Sequence, residues 1–312
     1  MSDDGAMFGN VIVGVDGRQG GRDAIALARL LLAPGGRLAL ANACSGFVPP
    51  AGAWVEASQS AAVMAEGVGP VAQRDLPAMA TIERTESEEL LQRERAATGI
   101  DAELISTGPD SAGRALHELA EQQDADLLVV GSCHRGLLGR VLIGNDTLAS
   151  LNGCNCAIAI AALDFESDRF RTIGVGYDGS PESKAALAVA RDLAQRHGAS
   201  VEACETVQLV PFSYSPLGGV ALSAALQGML AEADMRLSAL EGVTGEAVIG
   251  SSGEELAAFS GRLDLLVVGS RGYGPLRRLI FGSTSHYLAG HARCSLLVLP
   301  RGVGVDTATR FS

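Results

Sequence analysis

The sequence predicts an α/β protein made of two tandem open parallel-sheet domains, and three observations carry the prediction. First, the chain of 312 residues repeats itself: Asp126-Leu-Leu-Val-Val-Gly-Ser132 and Asp264-Leu-Leu-Val-Val-Gly-Ser270 are identical. A repeat of this length marks a duplicated folding unit. Second, both copies open alike, with Asn10-Val-Ile-Val-Gly-Val-Asp16-Gly17 and Thr172-Ile-Gly-Val-Gly-Tyr-Asp178-Gly179. Third, short continuous apolar runs alternate with helical patterns. Strands read this way when a parallel sheet is covered on both faces.

The elements follow in the same order in both copies. After each Asp-Gly comes an alanine-rich helix, expected over 22–32 and 181–197. Pro181 suits the first helical position, and Ser180 before it suits the cap. Strand-like runs follow at 38–44 and 201–207, then the two Leu-Leu-Val-Val strands, then Cys156-Ala-Ile-Ala-Ile160 and Cys294-Ser-Leu-Leu-Val-Leu299. Gly131 to Gly269, Gly144 to Gly282 and Cys156 to Cys294 are each 138 apart, whereas Asp16 to Asp178 is 162 apart. The first copy therefore holds about 24 extra residues, placed within 45–98, where Pro49-Pro50 gives way to a charged helical stretch near 83–95. The polar stretch 163–171 divides the chain into domains 1–165 and 166–312.

Bulk composition narrows the function classes. A hydrophobic content of 47% suffices for two cores, and a net charge of −12 repels nucleic acid and anionic lipid alike. Residues 1–10 contain Asp3 and Asp4 and lack the apolar core of a secretory signal. The most apolar long stretch, 217–230, includes Ser223 and Gln227 and is too short and polar to span a bilayer. The expectation is a soluble cytoplasmic protein with no nucleic-acid or membrane partner. Cys44, Cys133, Cys154, Cys156, Cys204 and Cys294 lack zinc or disulfide-framework spacing. Cys154-x-Cys156 reads as a buried, inert pair. His117, His197 and His291 read as isolated and solvated.

Ligands of open α/β sheets bind beyond the carboxyl ends of the strands, where both Asp-Gly turns and both Gly-Ser turns fall. After the second Leu-Leu-Val-Val strand the chain runs Gly269-Ser-Arg-Gly272-Tyr-Gly-Pro-Leu-Arg-Arg-Leu-Ile-Phe-Gly282-Ser283-Thr284. Glycines let a backbone approach phosphate oxygens without a Cβ intervening. A helix starting near Ser283, expected over 285–292, offers free amides and a favourable dipole to an anion. Arg271, Arg277 and Arg278 lie near enough in sequence to offset negative charge.

The Gly-x2-Gly-x9-Gly-Ser spacing, the Val-Gly-x-Asp-Gly opening and the Leu-Leu-Val-Val-Gly-Ser strand together resemble the universal stress protein family in its tandem form. The resemblance implies two adenine-nucleotide α-hydrolase-like, Rossmann-like domains of about five strands each. It implies ATP, with Mg as companion, held by the backbone of Gly269, Gly272, Gly282 and Ser283, with Thr284 and Val268 beside them. It sets Asp178 near the nucleoside and the metal, and Gly176 and Thr206 near the base. It also implies that the last strands, 157–161 and 296–299, pair edge to edge between the domains, with a homodimer left open.

The first copy retains Asp16, Gly131 and Gly144 as candidate site residues but has His134 for the second glycine and Asn145 for the serine. An imidazole there either blocks close phosphate approach or, when protonated, donates to a phosphate. Gly174-x-Gly176-x-x-Gly179 matches a dinucleotide fingerprint only formally, since it begins inside a strand, and no P-loop or nucleophile elbow is present. Three function classes follow. The first is an ATP-responsive signalling or stress-adaptation module without catalytic residues. The second is a slow ATPase, or an enzyme transferring phosphate to a side chain such as Ser283, with Asp178 as metal ligand; His286, three positions on from Ser283, reads as a surface histidine beside a helix-cap serine. The third is a dimerisation protein that binds no nucleotide.

Overall fold

The runs of Val, Leu, Ile and Ala that suggested buried strands form the centre of one continuous sheet. The structure is a computed structural model that describes residues 8–43, 76–108, 111–132, 143–208, 219–270 and 279–301. The first half contains β1 (Asn10–Gly14), α1 (Gln19–Leu31), β2 (Arg37–Ala43), α2 (Leu76–Thr98), β3 (Glu103–Thr107), α3 (Ala112–Gln122), β4 (Leu127–Gly131), α4 (Asn145–Leu151) and β5 (Ala157–Ala161). The second contains β6 (Thr172–Gly176), α5 (Pro181–His197), β7 (Ser200–Val207), α6 (Gly219–Ser238), β8 (Val243–Ile249), α7 (Ser252–Phe259), a single 3-10 turn (Ser260–Arg262), β9 (Leu265–Gly269), α8 (Ser283–His291) and β10 (Ser295–Leu299).

The strand order is β3-β2-β1-β4-β5-β10-β9-β6-β7-β8, so each half has the same five-strand order. Pairing within each half is parallel, while β5 and β10 are antiparallel, with Leu296 opposite Ile160, Leu297 opposite Ala159 and Val298 opposite Ile158. The two expected edge strands therefore meet inside the chain. Side chains alternate along both seam strands, feeding a continuous apolar cluster on each sheet face: Leu297 and Ala159 on one, Leu296, Val298, Ile158 and Ile160 on the other. Each fully buried leucine or isoleucine contributes about 1.5–3 kcal/mol.

Local signals account for the helix ends. Ser180 caps α5 by accepting the Ser183 N–H at 3.2 Å, and Pro181 takes the first turn. Arg196 and His197 end the helix, and Gly198 follows it in the left-handed region. Helix α1 starts at Gln19, three residues earlier than expected, and includes Gly20 and Gly21. No helix among the described residues is long and apolar enough to cross a membrane.

The halves are also joined outside the sheet. The fully buried carboxylate of Asp23 on α1 accepts the N–H groups of Asp164 (2.9 Å) and Phe165 (3.2 Å) in the connecting segment, and the amide of Gln19. Burial pushes the Asp23 pKa up, against the pull of these hydrogen bonds. A clasp lies on the opposite side. Gly153 donates to the Leu279 carbonyl at 2.8 Å, and the Leu279 N–H returns a bond to the Cys154 carbonyl at 2.8 Å. Phe281 donates to the Asn152 side chain at 3.1 Å, and Ile143 to the Ala289 carbonyl at 3.2 Å.

Two histidines depart from the solvated expectation. His197 of α5 is half-buried, with Nε2 2.9 Å from the Leu30 carbonyl of α1 and its ring edge-on to Phe170. His117 has Nδ1 2.8 Å from the Ser150 carbonyl. Packing between elements overrides the polarity of the side chain in both cases. His291 is exposed and stacks on Tyr287 with ring centroids 4.0 Å apart. Replacing Asp23→Ala leaves two linker amides without their acceptor, at a cost of about 1–3 kcal/mol. The check is a lowered urea midpoint with an unchanged slope.

Candidate functional site

Because β6 feeds β7 on one side and β9 feeds β10 on the other, a crevice opens at the carboxyl ends of β6 and β9. Gly176 ends β6 and Asp178 lies two residues beyond it. Val268 and Gly269 end the adjacent β9, with Val175 opposite Val267 in register. Thr206 lies near the end of β7, two residues past Cys204, the partner of Gly176. These five expected residues thus share one sheet edge. Gly282, Ser283 and Thr284 form the cap and first turn of α8, which packs on α7 where Tyr287 meets Gly253. Gly272, Arg271, Arg277, Arg278 and His134 lie outside the described residues. In the first half, Asp16 follows β1, Gly131 ends β4 and Gly144 caps α4.

The Asp-Gly turns are built alike in both halves. Gly179 (φ 77°) and Gly17 (φ 73°) take the left-handed conformation that side chains resist. That bend aims the Ser180 N–H at Asp178 Oδ1 and the Arg18 N–H at Asp16 Oδ1, both at 3.0 Å. Burial raises the Asp178 pKa, but hydrogen bonds from Ser180 and Ser183 outweigh it and hold the carboxyl below its ordinary value. Asp178 is therefore ionised at neutral pH, as a metal ligand or hydroxyl acceptor requires.

The glycine at the end of β9 has a reason inside the fold. A Cβ on Gly269 would lie 2.7 Å from the Glu182 Cβ and 2.9 Å from its carbonyl oxygen. On Gly131 it would lie 1.9 Å from the carbonyl oxygen of Gly20, which occupies the position of Glu182 in the first half. Helix and strand end approach too closely for any side chain there. Val268 turns its side chain into the core with Leu256, so only its backbone faces the sheet edge.

A buried hydroxyl at this edge has no partner among the described residues. Ser132 donates to the Ala161 carbonyl at 2.6 Å, whereas the equivalent Ser270, 3% exposed, has no hydrogen-bond partner for its hydroxyl among the described residues. Such a hydroxyl costs free energy unless something outside the described set satisfies it. At the start of α8, Gly282 is extended (φ −76°, ψ 175°) and has no side chain of its own to cap the helix. The first-turn amides therefore face outward with the positive end of the dipole. A cavity of about 580 Å³ lies between the halves against this helix, lined by Ile143, Leu148, Phe281, Gly282, Ser283 and Tyr287. Of the expected site residues that are described, it touches Gly282 and Ser283.

Several neighbours escaped the sequence reading. Glu205, almost fully buried, forms a paired salt bridge with Arg236 of α6, whose stem lies 3.5 Å from a Cβ built on Gly179. The signal was available: Glu205 interrupts the core-facing alternation of Val201, Ala203 and Val207. Thr206 Oγ1 lies 2.6 Å from the Ser252 hydroxyl, which also receives the Gln208 amide at 3.0 Å. Arg301, just past β10, lies 3.5 Å from Glu182. Nothing in the local sequence announces these last contacts.

A duplicated, doubly wound α/β sheet with an aspartate turn after the opening strand of each half defines a tandem open α/β protein. The chain belongs to the universal stress protein family, whose model matches residues 7–161 and 169–300. A universal stress protein of Mycobacterium tuberculosis (strain ATCC 25618 / H37Rv) is 30% identical over 187 residues, covering 56% of this chain and 62% of that relative. A Thermus aquaticus universal stress protein is 35% identical over 142 residues, 42% of this chain and 98% of that relative. Among solved structures, a putative universal stress protein from Pseudomonas aeruginosa UCBPP-PA14 matches with TM-score 0.58 at 14% identity, covering 95% of each chain. One from Archaeoglobus fulgidus DSM 4304 matches with TM-score 0.55 at 17% identity, covering 94% of this chain and 98% of that one. These two likenesses establish the fold.

Three outcomes follow from the geometry. Gly131→Ala forces apart α1 and β4 at a backbone-to-backbone contact and costs about 1–3 kcal/mol, measured by urea unfolding. The depressed pKa of Asp178 contributes stability that is complete above the unfolded value of about 3.9 and vanishes as pH falls through the folded value. Ser180→Ala raises the Asp178 pKa, followed by carboxyl NMR, and costs about 1 kcal/mol through loss of the helix cap.

Proposed function

We propose that the second half binds ATP as a nucleotide-responsive module, and that its output is a conformation or a partner contact. The observation that carries this reading is the buried Ser270 hydroxyl without a described partner, at the root of the glycine-rich segment and on the same edge as ionised Asp178. Hydroxyls and outward amides are donors, which phosphate oxygens accept. On this reading Ser270, Gly269 and the Gly282–Thr284 turn hold the phosphates. Asp178 orients the ribose or the nucleotide-bound Mg, and Gly176, Val268 and Thr206 line the base with backbone and hydroxyl. Bound Mg would neutralise phosphate charge. The protein's own task is to position the chain of phosphoryl groups and exclude water.

The first half keeps the aspartate turn but satisfies Ser132 internally, which supports its reading as a structural partner. We assign the modules to residues 1–165 and 166–312, each an open α/β unit.

Titration with Mg-ATP is expected to saturate at one site per chain. Gly282→Asp, which sets a carboxylate where phosphates are read to lie, weakens binding at least tenfold, about 1.4 kcal/mol. Asp178→Ala weakens it in the same direction. Unchanged affinity in both variants would remove the assigned site. Bound γ-labelled ATP recovered intact after incubation separates a binding module from an ATPase.

A further inference from the structure

We infer that Cys154 and Cys156 form a thiol–disulfide exchange site, whose substrate is a low-molecular-weight disulfide. The inference does not rest on the nucleotide reading. The sequence pointed to a buried, inert pair, and burial is what the structure shows, at 0% and 3% exposure. Inertness does not follow. A bend at residues 155–156 brings the two sulfurs to 3.3 Å, both as free thiols. A disulfide needs about 2.05 Å between sulfurs, so closure asks for side-chain rotation of about one ångström.

The environment separates the two thiols by role. The two sulfurs share a hydrogen bond in which either can donate; with Cys156 as donor it holds the Cys154 thiol down to about 7, with a smaller contribution from His117 and opposition from burial and Glu121. Cys156 itself is pushed up, by its bond to Cys154 and by burial. A thiolate is the attacking species, and an attacking thiol with pKa near ambient pH is fastest. Cys204 offers the contrast, since burial pushes it up to about 12, and buried Cys294 is also pushed up. Cys154 is itself fully buried but stands between exposed Asn152 and Asn155, directly after Gly153 with φ 96°, so the reaction requires local opening of this turn.

The reaction balances in two steps. The Cys154 thiolate attacks one sulfur of the small disulfide. A protein–small-molecule S–S bond forms, the original S–S bond breaks, and the first small thiolate leaves and takes up a proton. Cys156 then loses its proton and attacks the Cys154 sulfur, forming the Cys154–Cys156 bond and releasing the second small thiolate. Two protein thiols are oxidised and one disulfide is reduced to two thiols.

The test equilibrates the reduced, native full chain with glutathione disulfide, quenches by alkylation and maps peptides by mass. The expected product is a peptide containing residues 154–156 that has lost two hydrogens and carries no alkyl group, while Cys204 and Cys294 remain alkylatable. Cys156→Ser is expected to trap glutathione on residue 154, because the resolving thiol is gone. In the wild-type chain the rate of oxidation should rise with pH through about 7, the value to which the Cys156 hydrogen bond lowers the Cys154 thiol. Wild-type chain in which both thiols stay alkylatable would overturn the inference, as would Cys156→Ser chain without an adduct at residue 154.

Discussion

The antiparallel seam between β5 and β10 is the constraint on which the rest of the molecule depends. A five-stranded open sheet ends in an unpaired row of N–H and C=O groups, which invites another edge. Here the second half supplies that edge, and every residue of both seam strands is buried. Because β5 and β10 run in opposite directions, the carboxyl ends of the two sets of parallel strands point to opposite ends of the sheet. The Asp16 and Asp178 turns are therefore remote from each other, and neither can complete the other's site.

Within each half, the geometry of the edge is set by how closely the first helix approaches the fourth strand of its order. Gly131 against Gly20 and Gly269 against Glu182 are the same contact in two versions. In the first half both residues are glycine, which accounts for a helix that tolerates Gly20 and Gly21 in its opening turn despite their poor propensity. The packing contact outweighs a local cost of about 1 kcal/mol per glycine. The serine after each glycine shows how far the copies have parted. Ser132 closes its bond on its own sheet, and Ser270 leaves its hydroxyl without a described partner.

The duplicated core was legible because it is written in strong local patterns. Leu-Leu-Val-Val strands buried on both faces, a Ser-Pro helix start and Asp-Gly turns with positive φ all declare themselves residue by residue. The outer strands did not. In β3 and β8 most residues are half-buried or exposed, so no continuous apolar run marks them. The candidate site was legible only as chain positions, which fall at strand ends and at the start of α8. Its support was not: Arg236 reaches Glu205 across 31 residues, and Ser252 reaches Thr206 across 46. Long-range pairs of this kind arise from tertiary packing, which no local pattern encodes. Glu205 alone left a trace, as a charge at a core-facing position of β7.

The clasp at Leu279 gives the seam a mechanical reach. The stretch from Leu279 to Gly282 is the tail of the glycine-rich segment, yet its hydrogen bonds run to Asn152, Gly153 and Cys154 of the other half. The far end of that segment is thus pinned to a wall that does not belong to its own sheet. Any hinge movement between the two halves must either stretch those bonds or drag the entrance of α8 with it. The duplicated architecture behaves in this respect like a pair of levers sharing a rivet, so that what happens at one fulcrum is felt at the other's tip.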